Sequence, residues 1–225
     1  MTPSSPDSTG GPVPETVPAD PEQLAARVAA LTQGRDRVLI GIAGSPGSGK
    51  STLAVAVAEV LTERGLGTEL VGMDGFHLAH SVLTDRELVD VKGSPETFDA
   101  AGYVALVGRL RAHGPDTVYA PEFRREIEDA IAGAIPVSAQ TRVVITEGNY
   151  LLLPDAPWSE LPSVLDEIWF LDTPPELRLS RLVARHIFFG RTEEAAVERA
   201  TVGTDGVNAT LVDATRHRAD LIISE

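Results

Sequence analysis

The chain has 225 residues, 43% of them apolar, enough to bury the core of one α/β domain and too apolar for a wholly disordered or fibrous protein. Nineteen basic residues against 33 acidic ones leave a formal charge of −14, which repels a phosphate backbone and argues against a nucleic-acid binder. The absence of cysteine excludes disulfide frameworks, thiolate zinc sites, iron–sulfur clusters and cysteine nucleophiles, and it fits a reducing, cytoplasmic setting.

Residues 1–20 carry Pro3, Pro6, Pro12, Pro14 and Pro18 among Ser, Thr and Gly, so a disordered tail is expected there. The tail has neither the basic start nor the apolar stretch of a secretory leader. A helix should follow over residues 21–31, capped by Asp20, with Leu24, Val28 and Leu31 on one face. Residues 37–43 (RVLIGIA) form a short continuous apolar run, the pattern of a strand covered on both sides. A glycine-rich loop comes next, then a helix over 50–64 that stops near Gly65.

A second strand is expected over 68–73. A helix over 98–111, with Thr97 as its cap, carries Tyr103, Leu106, Val107 and Leu110 at helical spacing. Strands over 142–146 and 167–171, helices over 176–189 and 193–215, and a last strand over 219–223 complete the series. Trp158 and Trp169 are assigned to packing. Strands alternating with helices imply a parallel sheet with helices on both faces, here as one domain over residues 21–225. No apolar run approaches the roughly 20 residues that a membrane helix needs, so no membrane partner is expected.

The loop Gly44-Ser45-Pro46-Gly47-Ser48-Gly49-Lys50-Ser51 fits G-x-x-x-x-G-K-[ST], with Thr52 beside it. Glycines let backbone N–H groups approach phosphates closely, and the following helix points its positive end at them. Lys50 reaches the β- and γ-phosphates, and the Ser51 hydroxyl holds Mg²⁺. Only two lysines occur, Lys50 and Lys92, against 17 arginines. A guanine-reading Asn-Lys-x-Asp element is missing. The strand of residues 143–146 ends in Glu147-Gly148 rather than in the aspartate of transport-type or motor ATPases. A small kinase is the class that remains, and it needs a base at a neighbouring strand end. Leu70-Val71-Gly72-Met73 runs into Asp74, at the sheet edge where ligands bind in doubly wound folds. Asp74 can take the proton of an acceptor hydroxyl, although Asp-Gly is also an ordinary turn pair.

The set GSPGSGKST, MDGFH, KGSPETFD, ITEGNYLLL and SRLVARH resembles the phosphoribulokinase/uridine kinase family, which includes the bacterial type of pantothenate kinase. The resemblance covers about residues 37–225. It implies a P-loop NTPase fold, three-layer α/β/α with a mostly parallel central sheet and a helical lid. It implies an ATP- and Mg²⁺-dependent kinase for a small-molecule alcohol, with Asp74 as catalytic base and Glu147 assisting Mg²⁺. Lid arginines of the family correspond to Arg181, Arg185 and Arg191, which would bind ATP, with Arg185 active in transfer.

Phe76, His77 and Lys92 would shape the acceptor pocket, though His77 also reads as a structural histidine and Lys92 as a surface lysine. Uridine kinases carry an aromatic-Asp pair and a later His-x-Arg. Here Phe123 fills the aromatic place, Arg124 stands where Asp is expected, and no His-x-Arg follows. That departure speaks against uridine or cytidine. Arg124 or Arg125 could meet a substrate carboxylate or phosphate, and a surface ion-pair helix is equally open. Asn208 could read a base edge, or lie in a loop turn ahead of a helix cap. Relatives are often oligomeric, so a homodimer is expected by analogy. The rival from another class is a catalytically silent, ATP-binding regulatory protein.

Overall fold

The computed structural model describes residues 13–225. Among the described residues eight strands and eight α-helices follow one another in chain order. They are β1 (Glu15–Pro18), α1 (Pro21–Leu31), β2 (Val38–Ala43), α2 (Lys50–Glu63), β3 (Thr68–Leu70), α3 (His80–Asp85), α4 (Ala100–Ala112), β4 (Val118–Arg124) and β5 (Asp129–Val137). Then come β6 (Val143–Gly148), α5 (Leu161–Val164), β7 (Glu167–Asp172), α6 (Pro175–Phe188), α7 (Glu193–Thr201), α8 (Thr204–Asp213) and β8 (Leu221–Ser224).

Six strands form one parallel sheet in the order β1-β8-β7-β2-β6-β3. All six residues of β2 are buried, and their side chains alternate between two cores. Val38, Ile40 and Ile42 join Leu24 and Val28 of α1 and Val57 and Leu61 of α2. Leu39 faces the other way, toward Tyr103 and Leu106 of α4. A run apolar at every position is what a strand covered by helices on both faces requires. The layers are therefore helix, sheet, helix, as expected. Among the described residues no helix is long and apolar enough to cross a membrane.

Several expectations need correction. The expected tail reaches too far: residues 15–18 form edge strand β1, paired with β8, while residues 1–12 lie outside the described residues. Pro14 precedes this short edge strand and Pro18 is its last residue, positions where proline is tolerated. Helix α4 is capped by Asp99, whose carboxylate accepts from Gly102 N (2.9 Å). Thr97 is buried, its hydroxyl accepting from Gly93 N and donating to Ser94 O. The predicted helical stretch over 193–215 is broken near Gly203 into α7 and α8. Asn208 lies inside α8 rather than in a loop turn. Residues 118–137, for which no strand is expected and around Arg124 and Arg125 a surface ion-pair helix is open, form the antiparallel hairpin β4–β5, which stands outside the main sheet.

Candidate active site

A cleft of about 720 Å³ opens at the C-terminal edge of the sheet. Strand β2 delivers the phosphate loop to its floor, and α2 begins there. Gly49, the N-cap of α2, has φ +93° and offers no side-chain cap, and the first turn holds no acidic residue. The helix's free N–H groups and the positive end of its dipole are left for an anion. Gly47 has φ +78°, and a Cβ there would meet Leu182 Cγ at 2.7 Å and Arg178 O at 2.8 Å. Glycine is the residue that fits both the backbone and the packing of α6 against the loop.

Lys50 is buried. Its Nζ donates to Asn149 Oδ1 (2.8 Å) and Ser45 O (3.2 Å). Burial lowers its pKa to about 8, with Glu147 and Asp74 opposing the fall. Ser51 Oγ donates to Glu147 Oε1 at 2.9 Å. Desolvation pushes the Glu147 carboxyl up, the Asp74 charge adds to that, and Lys50 resists it. A hydroxyl and a carboxylate side by side are hard oxygen donors, so the pair fits Mg²⁺. Among the described residues no three His, Cys, Asp or Glu side chains gather as a metal cage. A cation here would take its remaining ligands from phosphate and water, as Mg²⁺ in phosphoryl-transfer sites does.

Asp74 lies in a 3₁₀ turn over Met73–Phe76 just past β3. The turn is pinned on two sides. Asp99 N donates to Phe76 O (2.8 Å), and Leu78 N donates to Thr97 O (2.9 Å). Below it, Thr146 Oγ1 donates to Val71 O (2.5 Å) and meets the Tyr103 hydroxyl at 2.6 Å. Asp74, Lys50, Ser51, Glu147 and Asn149 all line the one cleft.

The other expected residues divide. His77, Lys92 and Phe123 line the cleft, as do Gly47, Gly49, Thr52, Arg181, Arg185 and Arg191. His77 stacks on Phe98 (centroids 4.0 Å apart), leaves its buried Nδ1 unpartnered, and is held toward the neutral form by burial. Gly44, Ser45 and Ser48 lie behind the lining. The Ser45 hydroxyl is spent on Asp213 Oδ1 (2.5 Å), and buried Ser48 Oγ has no partner. Phe76 turns into the core against Tyr103 (5.3 Å). Arg124 is not brought to the cleft: it is exposed and paired with Glu122 at 2.6 Å.

Arg181 binds Glu225 (2.5 and 2.8 Å) and Ser48 O (3.3 Å), so its guanidinium braces the loop at the rim of the cleft. Arg178 likewise donates to Pro46 O (3.3 Å). Trp158 packs among Phe98, Tyr103 and Tyr150, and Trp169 is buried, as expected. Asn208 donates to Gly93 O (2.9 Å) and is occupied structurally.

Sequence reasoning did not single out Asn149, the acceptor that holds Lys50. Its position two residues past Glu147, at the end of β6, is a signal that the strand-end rule could have used. It also passed over Arg199, Asp205 and His186, which line the cleft from α6, α7 and α8. Nothing in their spacing marks them, because three helices must pack before they converge.

No protein-family profile matches the chain. A Schizosaccharomyces pombe protein provisionally named a uridine kinase is 35% identical over 213 residues, covering 91% of this chain and 90% of that one. A crystal structure of a Silicibacter sp. TM1040 kinase, provisionally assigned to a fructose transport system, is 40% identical with a TM-score of 0.81. It covers 90% of this chain and 98% of that one. The pantothenate kinase of Enterococcus faecalis is 32% identical over 142 residues, 62% of this chain and 46% of its own.

Proposed function

The chain belongs to the phosphoribulokinase/uridine kinase family of P-loop kinases, small-molecule phosphotransferases with an alcohol acceptor, and from that premise we propose how its cleft works. It transfers the γ-phosphoryl group of Mg·ATP to the hydroxyl of a nucleoside, sugar or pantothenate-like alcohol. The observation that carries the reading is the floor of the cleft. There Lys50, the Ser51–Glu147 hydrogen bond and Asp74 face one space from three strand ends.

Backbone N–H groups of the loop and the Lys50 ammonium hold the triphosphate. Ser51 and Glu147 would hold Mg²⁺, which when bound neutralises charge on the phosphate oxygens. Asp74 orients the acceptor hydroxyl and takes its proton. An O–P bond forms between the acceptor oxygen and the γ-phosphorus while the bridging bond to the β-phosphate breaks, and ADP leaves with that electron pair. Arg185 has no hydrogen-bond acceptor among the described residues, and burial lowers its pKa. It supplies a poorly solvated guanidinium to the charge on the transferred group. Arg191, exposed at the turn between α6 and α7, joins it from the lid.

ADP release is the test, followed with ATP across nucleosides, sugars and pantothenate, with and without a chelator. The expected result is acceleration by one acceptor class, abolished by the chelator. ADP release indifferent to every acceptor would contradict the kinase reading.

A further inference from the structure

The acceptor end of the cleft carries more positive charge than the nucleotide needs. Arg125 sits in the turn of the β4–β5 hairpin, and the only hydrogen-bonding contact of its side chain among the described residues is with Asp74 Oδ2 at 3.5 Å. Its guanidinium carbon lies 5.9 Å from the centre of the Phe123 ring. Lys92 Nζ lies 5.4 Å from the same ring. Phe123 is therefore a platform that gathers two cations beside the base, and stacking of a substrate ring on that face is not required to explain it. His77 leans on Phe123 at 5.1 Å and closes the other side.

Part of this charge is already answered. Lys92 donates to Glu128 O (2.8 Å) and meets the Glu128 carboxylate at 3.4 Å. That carboxylate is 59% exposed and well screened by water. Arg125 is answered only by the 3.5 Å contact with Asp74, and its half-exposed side chain is otherwise left to water. Its charge and that of Arg185 disfavour one another. Two like charges held together without a full set of acceptors are a site for an anion. Arg185, from the lid side, serves the transferred phosphoryl group. Arg125, from the hairpin side, faces whatever lies against Asp74.

We propose that the acceptor is itself an anion: a small alcohol whose carboxylate or phosphate sits on Arg125 with Lys92 beside it, while its hydroxyl meets Asp74. This rests on the kinase reading above and narrows its acceptor. The hydroxyl and the anionic group are close in the molecule, because Arg125 and Asp74 are in contact. Arg125 is then the residue that sets specificity, since a planar guanidinium binds a carboxylate or phosphate in two-pronged fashion. A neutral polyol would leave that guanidinium to water and the long contact with Asp74, with no acceptor placed for its fork.

Matched compounds test this directly. Glycerol, glycerate and glycerol 3-phosphate differ chiefly in the anionic group, and ribitol, ribonate and ribitol 5-phosphate repeat the comparison on a longer chain. Initial rates of ADP release with ATP are measured for each, with the wild type, Arg125→Ala and Arg125→Lys. The expected result is faster ADP release with the carboxylates or the phosphates than with their neutral partners. The more active series tells which anion is read. Arg125→Ala should raise the KM of that acceptor about 10- to 100-fold, the worth of a charge-assisted contact, and leave the KM of ATP within about twofold. Arg125→Lys should recover part of the loss.

Acceleration by neutral compounds alone, with KM unchanged in Arg125→Ala, would overturn the anionic acceptor and leave the kinase reading standing. A fall in kcat with the acceptor KM unchanged would also overturn it, placing Arg125 on the transferred group instead. Failure of the kinase reading looks different, because then no compound of either kind accelerates ADP release.

Discussion

The two ends of the cleft are built in opposite ways. The nucleotide end hangs on β2, a strand buried at all six positions and paired on both sides, to β6 and β7. The acceptor end hangs on the hairpin β4–β5, whose strands pair with each other alone and leave Tyr119 and Ile131 exposed. A buried parallel strand is fixed by its own apolar run, and the loop after it by glycine and helix geometry. An exposed hairpin takes its place from contacts with distant segments, here Gly75 against Pro121 and Lys92 against Glu128. The first arrangement suits a triphosphate, which every such kinase must bind alike. The second suits an acceptor, which must differ from enzyme to enzyme.

That contrast can be broken first at its strongest point. Lys50→Ala should lower kcat/KM about 10²- to 10³-fold, the usual worth of a charged group aimed at the reacting phosphates. ATP binding should weaken with it. Full ATP affinity in the variant would deny the nucleotide end its anchor. The pH dependence has a definite sign. Burial holds the Lys50 pKa at about 8, below its ordinary value of 10.5, so the free protein loses the ammonium as pH rises through about 8. ATP affinity, measured by calorimetry from pH 7 to 9.5, should fall above pH 8 in the wild type and stay flat in Lys50→Ala. Stability of the ligand-free protein should move the other way. The unfolded chain binds the extra proton between about pH 8 and 10.5, so this group's contribution rises with pH across that window.

Stability variants sharpen the contrast next. Leu39→Ala, in β2 and 1% exposed, should cost about 2–5 kcal/mol in denaturant unfolding. Ile131→Ala, in β5 and 42% exposed, should cost no more than about 0.5 kcal/mol. Equal losses would mean that the hairpin is part of the main cooperative unit. Phe123→Ala should raise the acceptor KM several-fold by releasing Lys92 and Arg125, since each such contact is worth roughly 0.5–1 kcal/mol. The melting temperature should barely change. The smallest effect is expected outside the cleft. Glu225→Gln removes a partner of Arg181, but both side chains are about a third exposed. The loss should stay under about 1 kcal/mol, with ATP KM changed a few-fold at most.

What could be read in the sequence follows the same division. The run VLIGIA, the phosphate loop and the strand end at Glu147 could all be placed, because period and local geometry decide them, whereas the strand expected over 68–73 stops at Leu70 and leaves Asp74 in a 3₁₀ turn. The helix over Pro21–Leu31 with its Asp20 cap matches at both ends for the same reason. The hairpin was not legible. Its strands carry Pro121, Gly133, Pro136 and several alanines, all poor strand formers, and its exposure does not alternate cleanly. Arg124 and Arg125 could not be told apart, because the answer depends on where the turn points each of them. The break at Gly203 depends on how closely α8 approaches α7. A Cβ on Gly206 would lie 1.7 Å from Thr201 O, a contact between helices that no local pattern announces.

Asp74 is where the two ends meet, since it must face both the acceptor hydroxyl and the γ-phosphoryl group. The most direct measurement is acceptor-stimulated ADP release by Asp74→Asn, beside calorimetric ATP binding by the same variant. Stimulated release should fall about 10²- to 10⁴-fold while the affinity for ATP stays near that of the wild type. Near-full stimulated turnover in Asp74→Asn would contradict the account, because the proton would then leave the acceptor by a route that this cleft does not provide.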